Sequence, residues 1–170
     1  DYREELKTSV EKLKASGTSV EFLGELKAKD MKVWYVASDI VAMPSIPNPF
    51  DESEETFGLV SLEAQSMGKP VIVSNAGGLS ETMKDGVTGI LVTDGFDEAR
   101  FNIETKEARA AFKAKVIDGF KAAIITLSDA KARETMGAAA RKFVSERFAS
   151  SRMLKDHIEF FNNVVRTKVI

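Results

Sequence analysis

At 170 residues the chain suits one domain, which at that length buries roughly 70% of its unfolded surface. An apolar fraction of 44%, a charged fraction of 29% and a net charge of −2 are those of a globular protein and leave no electrostatic footprint for nucleic acid. Cysteine is absent and histidine occurs once, which excludes disulfides, thiolate metal sites, a multi-histidine centre and, with a single C-terminal histidine in a helical pattern, a Ser-His-Asp triad.

The absence of cysteine fits a reducing cytoplasm. No apolar run reaches the ~20 residues that span a bilayer, and no signal peptide opens the chain; association with a membrane surface is not readable. No internal repeat is present.

In chain order, residues 1–15 set Leu6, Val10 and Leu13 at helical spacing, and Ser16-Gly17 breaks that helix. SVEFLG, residues 19–24, alternates and stops at glycine, which predicts a strand ending in a turn at Glu25-Leu26. A helix over 29–37 is expected to turn Val33, Trp34 and Ala37 inward. IVAM, 40–43, is a short apolar run of the kind buried on both sheet faces, and Pro44-Ser45 ends it. Ser45 is able to meet a phosphate or to cap a turn. Residues 46–56 form an acidic loop, and acids there suit the dipole of a following helix.

Residues 54–70, EETFGLVSLEAQSMGKP, read as turn, helix, glycine stop and strand entry. Thr56 is the expected cap, and Gly68-Pro70 the end. At 100° per residue, Ser61 and Gln65 share one face, opposite Phe57, Val60, Ala64 and Met67. Glu63 falls on the apolar side, where a carboxylate requires a partner. Glu55 precedes it by eight residues, roughly 12 Å along a helical path. The free first-turn amides of Phe57, Gly58 and Leu59 lie between the two acids and form a natural anion site. Spacing alone fits two readings: a site for sugar, diphosphate and ribose, or a capped helix with one solvent-reaching glutamate.

VIVS, 71–74, predicts a buried strand. Gly77-Gly78 then permits unusual backbone, Glu81 sits in a short helix, DGVTG turns, and ILV is the last strand. From Gly95 the pattern is helical: a charged insertion with a helix, a helix capped by Ser128, and a final helix striped by Leu154, Ile158, Phe161 and Val165. His157 in that helix reads as structural. Strands alternating with helices indicate a parallel α/β sheet.

The runs ASDIVAMPS, EETFGLVSLEA and GKPVIVSNAGGLSETMKDGVTGILV resemble the C-terminal domain of retaining, two-Rossmann-domain glycosyltransferases, the group 1 family. The resemblance covers about residues 18–92 and, more faintly, 125–150. It rests on two glutamates with seven residues between them, matched by Glu55 and Glu63. It implies a Rossmann-like parallel sheet with flanking helices, incomplete at its N-terminal end, because the family's first two strands have no counterpart. Residues 1–170 are then one nucleotide-sugar-binding domain of a longer protein, whose missing N-terminal domain binds the acceptor.

The implied roles follow residue by residue. Glu63 would hold the ribose, Leu59 and Val60 amides the diphosphate, and Phe57 and Gly58 amides the sugar. Glu55 would hold sugar hydroxyls and support an oxocarbenium-like transition state. Glu25 and Leu26 would lie near the base, and Ser45, Gly77 and Gly78 would form the pocket wall. The donor would be a UDP-, GDP- or ADP-linked sugar, transferred with retention of configuration, as expected of a retaining hexosyltransferase in carbohydrate biosynthesis. No cofactor or metal is implied. The family's diphosphate-neutralising arginine and lysine have no counterpart, so the isolated chain is expected to be inactive and poorly stable. A non-catalytic nucleotide-sugar-binding module and a nucleotide-sugar epimerase of the same architecture are the alternatives.

Overall fold

A computed structural model describes residues 2–46, 55–96 and 105–167. Most of the acidic loop (residues 47–54, with Glu52 and Glu54) and the insertion at 97–104 lie outside them. The chain divides into two compact units, Asp1–Met31 and Lys32–Ile170.

The first unit is built on α1 (Tyr2–Ala15), which buries Val10. It stops as the sequence requires: Gly17 takes φ 84°, and the Gly17 and Thr18 amides donate to the carbonyls of Lys14 and Leu13. The expected strand at 19–24 does not form. Those residues are irregular, and Phe22 is 60% exposed. Alternation makes a strand only where a neighbour completes the ladder, and this unit offers no second extended segment among its described residues.

The boundary between units falls within α2 (Ala28–Ala37). Its predicted inward face is also corrected: Val33, Trp34 and Ala37 are exposed, and Tyr35 alone on this helix is buried. The apolar residues here are consecutive rather than periodic, so no stripe selects Val33 and Trp34 over Tyr35.

In the second unit, β1 (Val41–Met43), β2 (Val71–Ser74) and β3 (Gly89–Val92) form a parallel sheet in the order β1-β2-β3. Val41 pairs with Val71, and Val71 in turn with Gly89. The VIVS run is the central strand, buried throughout. The expectation that β1 is buried on both faces fails, since it is an edge strand with Ala42 exposed. α3 (Leu59–Ser66) links β1 to β2, and a 3-10 turn at Leu79–Thr82, carrying Glu81, links β2 to β3. The resulting architecture is the expected Rossmann-like α/β one.

Among the described residues, α4 (Lys106–Thr126), α5 (Ala130–Arg147) and α6 (Ser150–Thr167) follow. Thr105 caps α4 through the Ala108 amide. Asp129, not Ser128, caps α5, its carboxylate 2.7 Å from the Ala132 amide. Ser128 instead donates to the Ile125 carbonyl, because it still belongs to the end of α4. The core joins Val71, Ile72 and Val73 to Ala64, Leu79, Leu127 and Ala140, all fully buried. On α4 it adds Phe112, Val116, Phe120 and Ala123. The stripe of α6 is no core: Leu154, Ile158, Phe161 and Val165 are each more than half exposed. His157 bonds within α6, to the Met153 carbonyl. No helix of the described residues is long and apolar enough to cross a membrane.

α3 is seated by a glycine contact. A Cβ at Gly137 of α5 would meet the backbone carbonyl of Gly68, at the end of α3. Backbone cannot yield as a side chain does. Gly137→Ala should therefore lower stability by about 1–3 kcal/mol, read as a lower urea midpoint; an unchanged midpoint would show that the two helices can move apart freely.

Candidate functional site

The site grows out of the turn that enters α3. Gly58 is buried with φ 89°, a conformation only glycine adopts cheaply. A Cβ there would also collide with the Leu79 side chain. Glycine in this position ends the turn abruptly, so α3 starts at Leu59 and Gly58 is its cap residue. Thr56 does not cap the helix; it is exposed two residues too early. The Gly58 cap makes no side-chain capping bond; in the turn before it, Glu55 Oε1 accepts the Gly58 N–H at 2.9 Å. A charged acceptor on a helix-entry amide is the stronger arrangement. No partner to the Leu59 and Val60 amides is found among the described residues.

The double glycine explains why the turn stays where it is. The Gly78 amide donates to the Glu55 carbonyl at 3.1 Å. A Cβ on Gly77, which has φ 50°, would strike that same carbonyl. One on Gly78 would lie 2.5 Å from the Thr56 carbonyl and 3.0 Å from the Phe57 Cα. Gly77 and Gly78 thus lie directly behind the Glu55 turn. From the other side Phe57 packs edge-on to Phe148 with centroids 6.1 Å apart, and Phe148 meets Phe143 at 5.7 Å.

The structure buries Ala64 of the expected apolar stripe but places Ser61 and Gln65 in the core beside it and leaves Val60 outside, exposed like Leu59. The buried face is polar and hydrogen-bonded through Gln65 Nε2 and the Ser61 and Thr82 hydroxyls. Gln65 Nε2 donates to the Ser61 carbonyl and hydroxyl and, at 2.8 Å, to the Thr82 carbonyl. The Thr82 and Ser61 hydroxyls are bonded at 2.9 Å. Equal spacing of the two faces conceals this, since periodicity identifies a face and not its direction.

Glu63 lies exposed, as do Leu59 and Val60 on the same helix. Its partner is one that the sequence does not announce: the Tyr35 hydroxyl donates to Glu63 Oε2 at 2.8 Å. Tyr35 is 5% exposed. Burial, reinforced by the hydrogen bond and the charge of Glu63, pushes its phenol up to about 12. The only trace of this in the sequence is a polar-tipped aromatic amid Val33, Trp34 and Val36.

Ser45 contributes its backbone, its carbonyl accepting the hydroxyl of buried Ser74 and tying the end of β1 to β2. Glu55, Phe57, Gly58, Leu59, Val60, Glu63, Ser45, Gly77 and Gly78 all belong to the second unit; Glu25 and Leu26 belong to the first, in irregular chain with Glu25 exposed. Among the described residues no three His, Cys, Asp or Glu side chains converge as a metal centre.

With this geometry in view, the comparisons with known proteins are informative. The model of the family Glycosyl transferases group 1 matches residues 1–108. The D-inositol 3-phosphate glycosyltransferase of Paenarthrobacter aurescens (strain TC1) is 36% identical over 111 residues, 59% of this chain and 26% of that protein. Its namesake in Corynebacterium kroppenstedtii is 48% identical over 80 residues, 47% of this chain and 16% of the relative. The chain thus spans about a quarter or less of these relatives. The structure of Anabaena Alr3699/HepE in complex with UDP and glucose aligns with TM-score 0.63 and 26% identity, over 96% of this chain and 37% of that one. Sucrose-phosphate synthase from Thermosynechococcus elongatus shares the fold, with TM-score 0.64 at 24% identity over 98% of this chain and 35% of that one.

Two measurements check the geometry. Gly77→Ala should cost about 1–3 kcal/mol and shift the Gly58 amide resonance, because Glu55 must move. Gly86→Ala is the control: φ there is 68° but a Cβ meets nothing within 4 Å, so only backbone strain of about 1 kcal/mol is expected, with Gly58 undisturbed. Equal effects would deny that Gly77 supports Glu55. Separately, in a spectrophotometric titration the Tyr35 phenol should ionise near 12 and at lower pH in Glu63→Gln; because the folded state holds this proton more tightly, its stabilising contribution is complete below the unfolded value of about 10 and is lost as pH rises through the folded one.

Proposed function

Because the chain belongs to the glycosyl transferases group 1 family, we propose that it is the donor-binding part of a glycosyltransferase, taking a nucleotide sugar and presenting it for transfer with retention of configuration. The observation that carries this reading is the entry to α3. Glu55 stands before it and Glu63 in its second turn, with the Leu59 and Val60 amides between. Acceptor, amide pair, acceptor is the order that sugar, diphosphate and ribose demand. The UDP bound by the Anabaena neighbour supports a uridine donor.

In this reading Glu63 accepts the ribose hydroxyls, since a carboxylate takes two hydrogen bonds at once. The Leu59 and Val60 amides meet the diphosphate at the positive end of α3. The Phe57 amide faces the sugar, while the Gly58 amide is committed to Glu55 and holds its carboxylate for the sugar hydroxyls and the positive charge developing at the anomeric carbon. Gly77 and Gly78 fix this turn, and with Ser45 they form the pocket wall. Departure of the nucleoside diphosphate also requires cations, and turnover is in this reading a property of the whole protein, in the cytoplasm, with the acceptor on another domain. Neither cofactor nor metal takes part.

The two glutamates separate in experiment. Glu63→Ala should weaken UDP and UDP-sugar alike by about ten- to a hundredfold, the cost of one charge-assisted hydrogen bond. Glu55→Ala should leave UDP binding nearly intact and lower kcat, with little rescue by Glu55→Gln. Calorimetric titration alongside donor turnover measures both, and equal UDP affinity of wild type and Glu63→Ala would remove the ribose role. Turnover should also survive a chelator; loss restored by divalent metal would count against a metal-free reaction.

A further inference from the structure

We infer that Tyr35 is a positioning residue for nucleotide recognition: its hydroxyl holds one oxygen of the Glu63 carboxylate so that the other is presented to the ribose. This rests on the reading of Glu63 given above. An exposed glutamate has several rotamers of similar energy, and ordering it on binding costs side-chain entropy. Here that cost is met beforehand. Tyr35 is 5% exposed, on a different helix from Glu63, and its hydroxyl lies 2.8 Å from Oε2. A buried ring has little freedom of its own, so it is a fixed post. It also donates only one proton, which leaves Oε1 and the remaining lone pairs of the carboxylate to accept hydroxyls. A lysine or arginine would neutralise the acid; a phenol orients it and leaves the charge in place.

The test uses the full-length protein with UDP and 2′,3′-dideoxy-UDP, which lacks the ribose hydroxyls. Tyr35→Phe keeps the ring and should weaken UDP by roughly two- to tenfold, the worth of one hydrogen bond, while dideoxy-UDP is unaffected. In a Glu63→Ala background the same substitution should add nothing, because the two act as a unit. In the wild-type protein, with no risk of misfolding, the Tyr35 Cζ resonance should move on addition of UDP and stay with dideoxy-UDP. If Glu63→Ala discriminates the two nucleotides but Tyr35→Phe does not, and Cζ ignores UDP, the positioning role is overturned while the ribose role of Glu63 stands. If Glu63→Ala fails to discriminate them, the ribose role itself falls, and Tyr35 with it.

Discussion

Backbone packed on backbone is the constraint on which this structure depends. Gly77 and Gly78 admit the chain at 55–57 to a distance that no side chain allows, and the Gly78 amide fastens the Glu55 carbonyl. Once that turn is fixed, Gly58 must take its left-handed conformation, α3 must begin at Leu59, and Glu55 is delivered to the Gly58 amide. The far end of α3 is fixed by the same means, with Gly68 against Gly137 of α5. A turn built this way is placed by close backbone packing rather than by flexible side chains.

Beneath the turn lies a second device, the bonded set of Gln65, Ser61 and Thr82. An apolar face would have seated α3 with more driving force but less register. A buried hydrogen-bonded network specifies one arrangement, and it links α3 to the 3-10 turn that follows the double glycine. The cost is visible in Gln65 Oε1, which is buried with no protein partner among the described residues. Stability and placement are thus traded against each other on the helix that carries the candidate site.

The sequence was most legible where local chemistry is decisive. Glycine stops, the buried VIVS strand, the DGVTG turn and the resemblance over Glu55 to Glu63 all rest on residues whose constraints are their own. It was least legible where a partner decides. SVEFLG alternates as a strand should, yet is irregular where no ladder forms; Thr56 and Ser128 are good caps in isolation, but α3 starts from Gly58 with no side-chain cap and Asp129 accepts the amide at the start of α5. Periodicity gives α3 two faces without saying which is buried, so it does not announce that Ser61 and Gln65 face the core while Glu63 is exposed. Tyr35 could not be read at all, because its meaning lies in a contact across 28 residues of chain.

The central claim is that the entry to α3 holds a nucleotide, ribose toward Glu63 and diphosphate on the Leu59 and Val60 amides. A crystal structure of the full-length protein with UDP tests it most directly. The ribose hydroxyls should lie within hydrogen-bond distance of the Glu63 carboxylate, with a phosphate oxygen on each of the two amides and the Tyr35 bond intact. UDP bound with its ribose away from Glu63, or with its phosphates clear of the α3 terminus, would contradict the account.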